Sequence, residues 1–292
     1  MKFGIHYIYW QKDISTASYL PCVYRARKAG FDVLELGDHI IFHMTDRELD
    51  EVAAAARGEG IELMISIDPP QDKSLTAADA ARRDAGVQFY AEAMPKLRRL
   101  EIQKLGGHFL NAAPIPPHAA HREAEWSYGV QSMQRIADIA AQYGITVCVE
   151  AVNRFEGHIV NTAKQGCRFV DDVQRDNLML ELDSFHMNIE ESSLINGILT
   201  AGKRLGHFHF VENHRGLPGT GHIQWAAVRD ALHHIGYDGI LSMEALVRCD
   251  GELGDAARIW RDLTDGADED GLDEQAAASL SAMRALFRNG SR

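Results

Sequence analysis

Cysteine is scarce. The four, Cys22, Cys148, Cys167 and Cys249, lie far apart and form no C-x-x-C pair, which excludes a disulfide framework and a thiolate zinc site. Cys148 sits in an apolar run and reads as a small buried hydrophobe. Basic residues are also in deficit, with 30 Lys plus Arg against 42 Asp plus Glu and a net charge of −12. Such a surface repels phosphate backbones and anionic lipid, so nucleic acid and membrane surfaces are excluded as partners. No uninterrupted apolar run approaches transmembrane length, and Met1 to His6 runs straight into a strand-like segment without a signal-peptide pattern. The expected compartment is a reducing cytoplasm. A G-x-G-x-x-G turn after the first strand is missing too, which removes the signature of a doubly wound nucleotide-binding sheet.

What is present is ordinary globular material with one oddity. Of 292 residues, 46% are hydrophobic and 25% charged, and 14 are histidine, a density that points to metal or proton chemistry. One pattern recurs: an Ala- and charge-rich stretch closes at a Gly, and a short β-branched or apolar run follows. Lys28-Ala29-Gly30 leads into Phe31 to Leu36, Gly58 to Gly60 into Ile61 to Ile67, Tyr143-Gly144 into Ile145 to Glu150, and Ile235-Gly236 into Ile240 to Glu244. Each reads as a helix ended by a left-handed glycine, then a strand buried on both faces. The strands expected are 2–9, 31–37, 61–67, 104–109, 145–151, 178–184, 205–211 and 239–245. Helices are expected over 46–57, 77–100, 126–143 and 224–235, with a loop over 262–273 before a last helix at 274–287. Eight alternating units with no linker predict a single (β/α)8 TIM barrel, one domain over residues 1–292.

Barrel chemistry comes from strand C-termini and the loops after them. Reading those positions gives His6 and Tyr7, Glu35 with His39, Gly106-Gly107-His108, Glu150 with Asn153 and Glu156, Asp183 with His186, His207 and His209 with Arg215, and Glu244. Glu150, Asp183, His209 and Glu244 are separated by 33, 26 and 35 residues, about one βα unit each, so four successive strands present them to one point. Three unpaired acids converging in an apolar mouth repel one another, and a divalent cation removes that cost. Three oxygen donors and one nitrogen suit Mn²⁺, Co²⁺ or Mg²⁺ better than structural zinc. His186 and Arg215, beside this point, are expected to touch substrate. His207 alternates with His209 and points deeper into the barrel, where a hydrogen-bonded core role competes with a site role. His118, His121, His158, His233 and His234 read as solvated surface.

The chain resembles the ketose 3-epimerase family of the xylose-isomerase-like TIM-barrel superfamily, which includes D-tagatose, D-psicose (D-allulose) and L-ribulose 3-epimerases. The resemblance rests on Gly4 to Trp10, Ala29 to Asp32 with Glu35, Glu150 to Glu156, Leu182 to Glu191, Gly206 to His209, His214 to Gly216, Met243-Glu244 and Ile259 to Leu263. It implies reversible C3 epimerisation of free ketoses, with one Mn²⁺ or Co²⁺ per subunit on Glu150, Asp183, His209 and Glu244. It further implies that Glu150 and Glu244 are the acid–base pair on opposite faces of C3. Substrate contacts are expected from His6, Gly107, Glu156, His186 and Arg215, in a homodimer or homotetramer.

Three departures bear on specificity: His6 where many members carry Tyr or Phe, Ala112-Ala113 where bulky aromatics are common, and Ile14 near a common Trp. A reduced aromatic wall is expected to loosen discrimination at C4 to C6. An aldose–ketose isomerase of the same barrel type and a catalytically silent sugar-binding barrel are the competing readings. The second requires loss of an acid–base residue, and none is lost.

Overall fold

The structure, a computed structural model, describes residues 1–14, 17–37, 40–110 and 122–288. Eight parallel strands close into a barrel in chain order: β1 (Lys2–His6), β2 (Val33–Gly37), β3 (Glu62–Ser66), β4 (Lys104–Gly106), β5 (Thr146–Ala151), β6 (Leu178–Asp183), β7 (Leu205–His209) and β8 (Ile240–Met243). β8 pairs back onto β1, with Gly4 opposite Ser242. Helices α1 (Tyr19–Ala29), α2 (Ile40–His43), α3 (Asp46–Glu59), α4 (Ala80–Arg99), α5 (Arg122–Ala141) and α6 (Ala163–Val173) accompany the first half. α7 (Ser184–Glu190), α8 (Leu194–Ala201), α9 (Trp225–His234), α10 (Gly251–Ala257) and α11 (Glu269–Arg288) complete the ring. The (β/α)8 expectation is met. No helix among the described residues is long and apolar enough to cross a membrane.

The local signals act as expected. α1 ends at Gly30, held at φ 93° with its N–H on the Ala26 and Arg27 carbonyls, a left-handed cap that turns the chain into β2. α6 starts with a reciprocal capping box between Thr162 and Gln165. Several boundaries differ by a few residues, β4 for one ending at Gly106 rather than 109, and two of the differences have a clear local cause. The first strand stops at His6, because the His6 ring accepts the Ile8 N–H and folds Tyr7–Trp10 into a 3-10 turn. The last helix begins at Glu269 rather than 274: Asp268 accepts the Gly271 N–H, and Glu269 and Asp270 sit in the first turn, where the helix dipole favours acids. An Asp/Gly-rich stretch that reads as loop is here a helix start.

The barrel interior is layered. All of β2 is buried, so Leu34 and Leu36 join the large apolar cluster under the helices while Val33 and Glu35 alternate to the other face. Val33, Met64 and Ile240 form a separate apolar plug. Above it the packing turns polar: Glu35, Glu181 and His207 are fully buried, then Glu150, Asp183 and His209. The register sets Glu181 opposite His207 and Asp183 opposite His209.

Candidate active site

The ends of four consecutive strands meet at His209 Nδ1. Asp183 Oδ2 and Glu244 Oε2 each lie 3.6 Å from it, and Glu150 Oε1 lies at 3.9 Å. Asp183 commits its other oxygen to the N-terminus of α7, accepting the Phe185 and His186 N–H groups. Glu150 Oε1, Asp183 Oδ2 and His209 Nδ1 are buried without a hydrogen-bond partner. Enclosure, with the charges of Glu150 and Asp183 alongside, pushes the Glu244 carboxyl up to about 8 against the pull of His209 and Arg215. Two acid oxygens and one imidazole nitrogen, orphaned and converging beside a crowded fourth acid, are a donor set that fits a divalent cation. Glu150, Asp183 and His209 form one tight group, and Glu244 closes on it from β8.

The expected substrate contacts surround this point. His6, Gly107, Glu150, Glu156, His209, Arg215 and Glu244 line one cavity of about 210 Å³. His186 stands behind it, fully buried; Asn153 Nδ2 donates to its Nδ1 at 2.7 Å. That bond leaves His186 Nε2 carrying the proton, 3.5 Å from Glu150 Oε1. Burial holds His186 below the ordinary histidine range, so it is a neutral donor. The Arg215 guanidinium stacks 4.5 Å from the Phe185 ring centroid, with Nη2 3.4 Å from Glu156 Oε2 and from His186 Nε2. Its backbone is left-handed at φ 62°, pinned because Arg215 N–H donates to Glu212 O and Arg215 O accepts from Leu246 N–H. Gly107 sits at φ 132°, and its carbonyl takes the Glu150 N–H. Burial pushes His6 down to about 4 and keeps it neutral.

A reading of strand ends names His108 and His207 without settling their roles and does not name Glu181 or Glu212. His108 bridges Asp68 and Glu150. Glu212, fully buried, fixes the Arg215 loop by accepting from Gly219 N and Trp225 Nε1. Glu181, two residues before Asp183 on the same strand face, is buried with neither oxygen hydrogen-bonded, and burial pushes it well above the usual carboxylate range. His207 is a core residue bonded to Glu35. His158 is half-buried against Glu125 rather than solvated, and His233 is half-buried as well. His39, Ala112, Ala113, His118 and His121 lie outside the described residues.

The model of the xylose isomerase-like TIM barrel family matches residues 23–270. D-psicose 3-epimerase of Agrobacterium fabrum is 39% identical over 285 residues, covering 97% of this chain and 98% of that protein. This chain belongs to the ketose 3-epimerase family. L-ribulose 3-epimerase of Mesorhizobium japonicum is 34% identical over 264 residues, covering 90% of this chain and 88% of that protein. Among solved structures, D-psicose 3-epimerase determined in the presence of D-fructose superposes with a TM-score of 0.95 at 38% identity, covering 98% of this chain and 99% of the other. Membership makes the chain an isomerase-class carbohydrate epimerase.

Proposed function

We propose that the protein catalyses reversible C3 epimerisation of free ketoses, of the D-tagatose/D-sorbose, D-fructose/D-psicose or ribulose/xylulose type, by a two-glutamate mechanism. One observation carries this reading: Glu150 from β5 and Glu244 after β8 bring carboxylates to the same atom, His209 Nδ1, from different sides of the mouth. Inversion at one carbon by deprotonation and reprotonation needs an acid–base group on each face.

Glu150, Asp183, His209 and Glu244 would hold one divalent ion, Mn²⁺ or Co²⁺ with Mg²⁺ as the alternative. Bound there, it supplies Lewis-acid polarisation of the ketose oxygens, which makes the C3 proton acidic enough for a carboxylate to take. One glutamate removes that proton and the other returns one to the opposite face. The His186 Nε2–H and the Arg215 guanidinium donate to the oxygen on which negative charge grows, as the enediolate forms. Glu156 steadies Arg215 and Asn153 fixes the His186 ring. Residues His6 and Gly107 shape the cavity wall toward the rest of the sugar. A homodimer or homotetramer in the cytoplasm belongs to the same proposal, and the unpaired cysteines fit a reducing compartment.

The test is a panel of fructose, psicose, tagatose, sorbose, ribulose, xylulose and erythrulose followed by NMR with added Mn²⁺. Inversion at C3 of at least one sugar is expected. Proton exchange confined to C1 and C2 would assign an aldose–ketose isomerase instead, and no exchange with any sugar would assign a binding protein.

A further inference from the structure

Beneath the mouth lies a fully buried carboxylate that the mechanism above leaves without a task. Glu35, on β2 across the barrel from β7, receives three donors. Ser66 Oγ donates to Oε1 at 2.6 Å. His207 Nε2 contacts Oε2 at 3.3 Å. His209 Nε2 lies 3.0 and 3.1 Å from the two oxygens. An ionised carboxylate accepts hydrogen bonds and donates none. Glu35 therefore requires the proton of His209 to sit on Nε2, and that leaves the Nδ1 lone pair aimed at Glu150, Asp183 and Glu244.

We propose that Glu35 is the positioning residue of the centre: its carboxylate fixes the tautomer and ring orientation of His209 so that Nδ1 is the ligating atom. Ser66 and His207 hold Glu35 in place in turn. This rests on the divalent-ion reading given above. Carboxylates or carbonyls placed behind a ligating imidazole have this effect in metal sites generally, and losing them typically weakens metal binding 10- to 100-fold.

The alternative is that Glu35 only fills the barrel. Glu35→Gln keeps the shape but can present an amide N–H to Nε2, which favours the opposite tautomer with a proton on Nδ1. Metal-stripped full-length protein would be titrated with Co²⁺ by calorimetry and by visible absorption, with circular dichroism and thermal melting of the metal-free form alongside. Glu35→Gln is expected to fold, to bind Co²⁺ 10- to 100-fold more weakly, and to show altered visible bands. Co²⁺ affinity equal to wild type, in a folded variant, overturns the proposal. Should Glu35→Gln not fold, Glu35→Asp carries the test: it keeps the charge but withdraws both oxygens by one methylene. Several-fold weaker Co²⁺ binding then supports the proposal, and unchanged binding overturns it. Wild-type protein that binds no Co²⁺ would instead overturn the divalent-ion reading itself.

Discussion

His108 Nε2 lies 3.0 Å from Oε2 of Glu150, the oxygen that does not face His209. Asp68 holds the same residue from behind, with Oδ2 3.3 Å from His108 Nδ1 and Oδ1 accepting the His108 N–H at 2.7 Å. Glu150 is thus held through Oε2, which leaves Oε1, itself without a hydrogen-bond partner, turned toward His209. Losing a hydrogen bond to a charged group costs about 1.5–3 kcal/mol. His108→Ala is expected to lower kcat/KM by about tenfold to a hundredfold, the same free energy expressed as a rate. Steady-state kinetics on the best ketose of the panel checks this, and an unchanged kcat/KM would mean that Glu150 needs no such clamp.

Glu150 and Glu244 approach His209 from β5 and from the end of β8, and the proposed two-base scheme gives each of them one face of C3. Glu150→Gln and Glu244→Gln are each expected to eliminate C3 hydrogen exchange in D₂O while leaving the circular dichroism spectrum unchanged. Either variant exchanging at the wild-type rate would rule out the two-base scheme.

The site acids were legible because a barrel turns one-dimensional spacing into a ring: four strand ends, one unit apart, converge whatever the loops do. Glycine-capped helices were legible for a similar reason, since only local backbone chemistry is involved. The layer below was read only in part, with His207 placed deeper in the barrel and Glu35 named at its strand end. Glu181 shares a strand face with Asp183, and the period-two alternation contains it, but nothing in the sequence says that Glu35, far earlier in the chain, reaches across to His207 and His209. His108 was named at its strand end but given no role, because Gly107 at φ 132° breaks the alternation that would otherwise assign its direction. The start of α11 was hidden because Asp and Gly signal loops and helix caps alike.

Arg215 is buried against Phe185 and Glu156, and its charge is aimed into the cavity. Removing a preorganised donor to developing negative charge costs about 3 kcal/mol in the transition state. Arg215→Ala is expected to lower kcat/KM by roughly a hundredfold or more on that basis. Equal kcat/KM for variant and wild type would show that the loop acts elsewhere in the reaction.

Prolonged chelation is expected to abolish turnover, and added Mn²⁺ or Co²⁺ to restore it. Binding to the folded state alone adds about 2.7 kcal/mol of stability at a hundredfold excess over Kd, so the melting temperature should rise with metal concentration. Metal-free protein with full activity would dismiss the cation, and a melting temperature indifferent to metal would dismiss its binding.

Gly107 joins fold to site. Its φ of 132° belongs to a region essentially reserved for glycine, and a Cβ there would stand 2.7 Å from the Ile67 carbonyl oxygen, a backbone atom that cannot step aside. Its own carbonyl holds the Glu150 N–H, so any shift is passed to Glu150. Gly107→Ala is expected to destabilise the protein by about 1–3 kcal/mol, the range for a residue forced into a sparsely populated backbone region. Denaturant titration measures that loss. Where the variant remains folded, kcat should fall as well, because Glu150 is displaced. Stability and kcat both at wild-type values would show that β4 tolerates a side chain here.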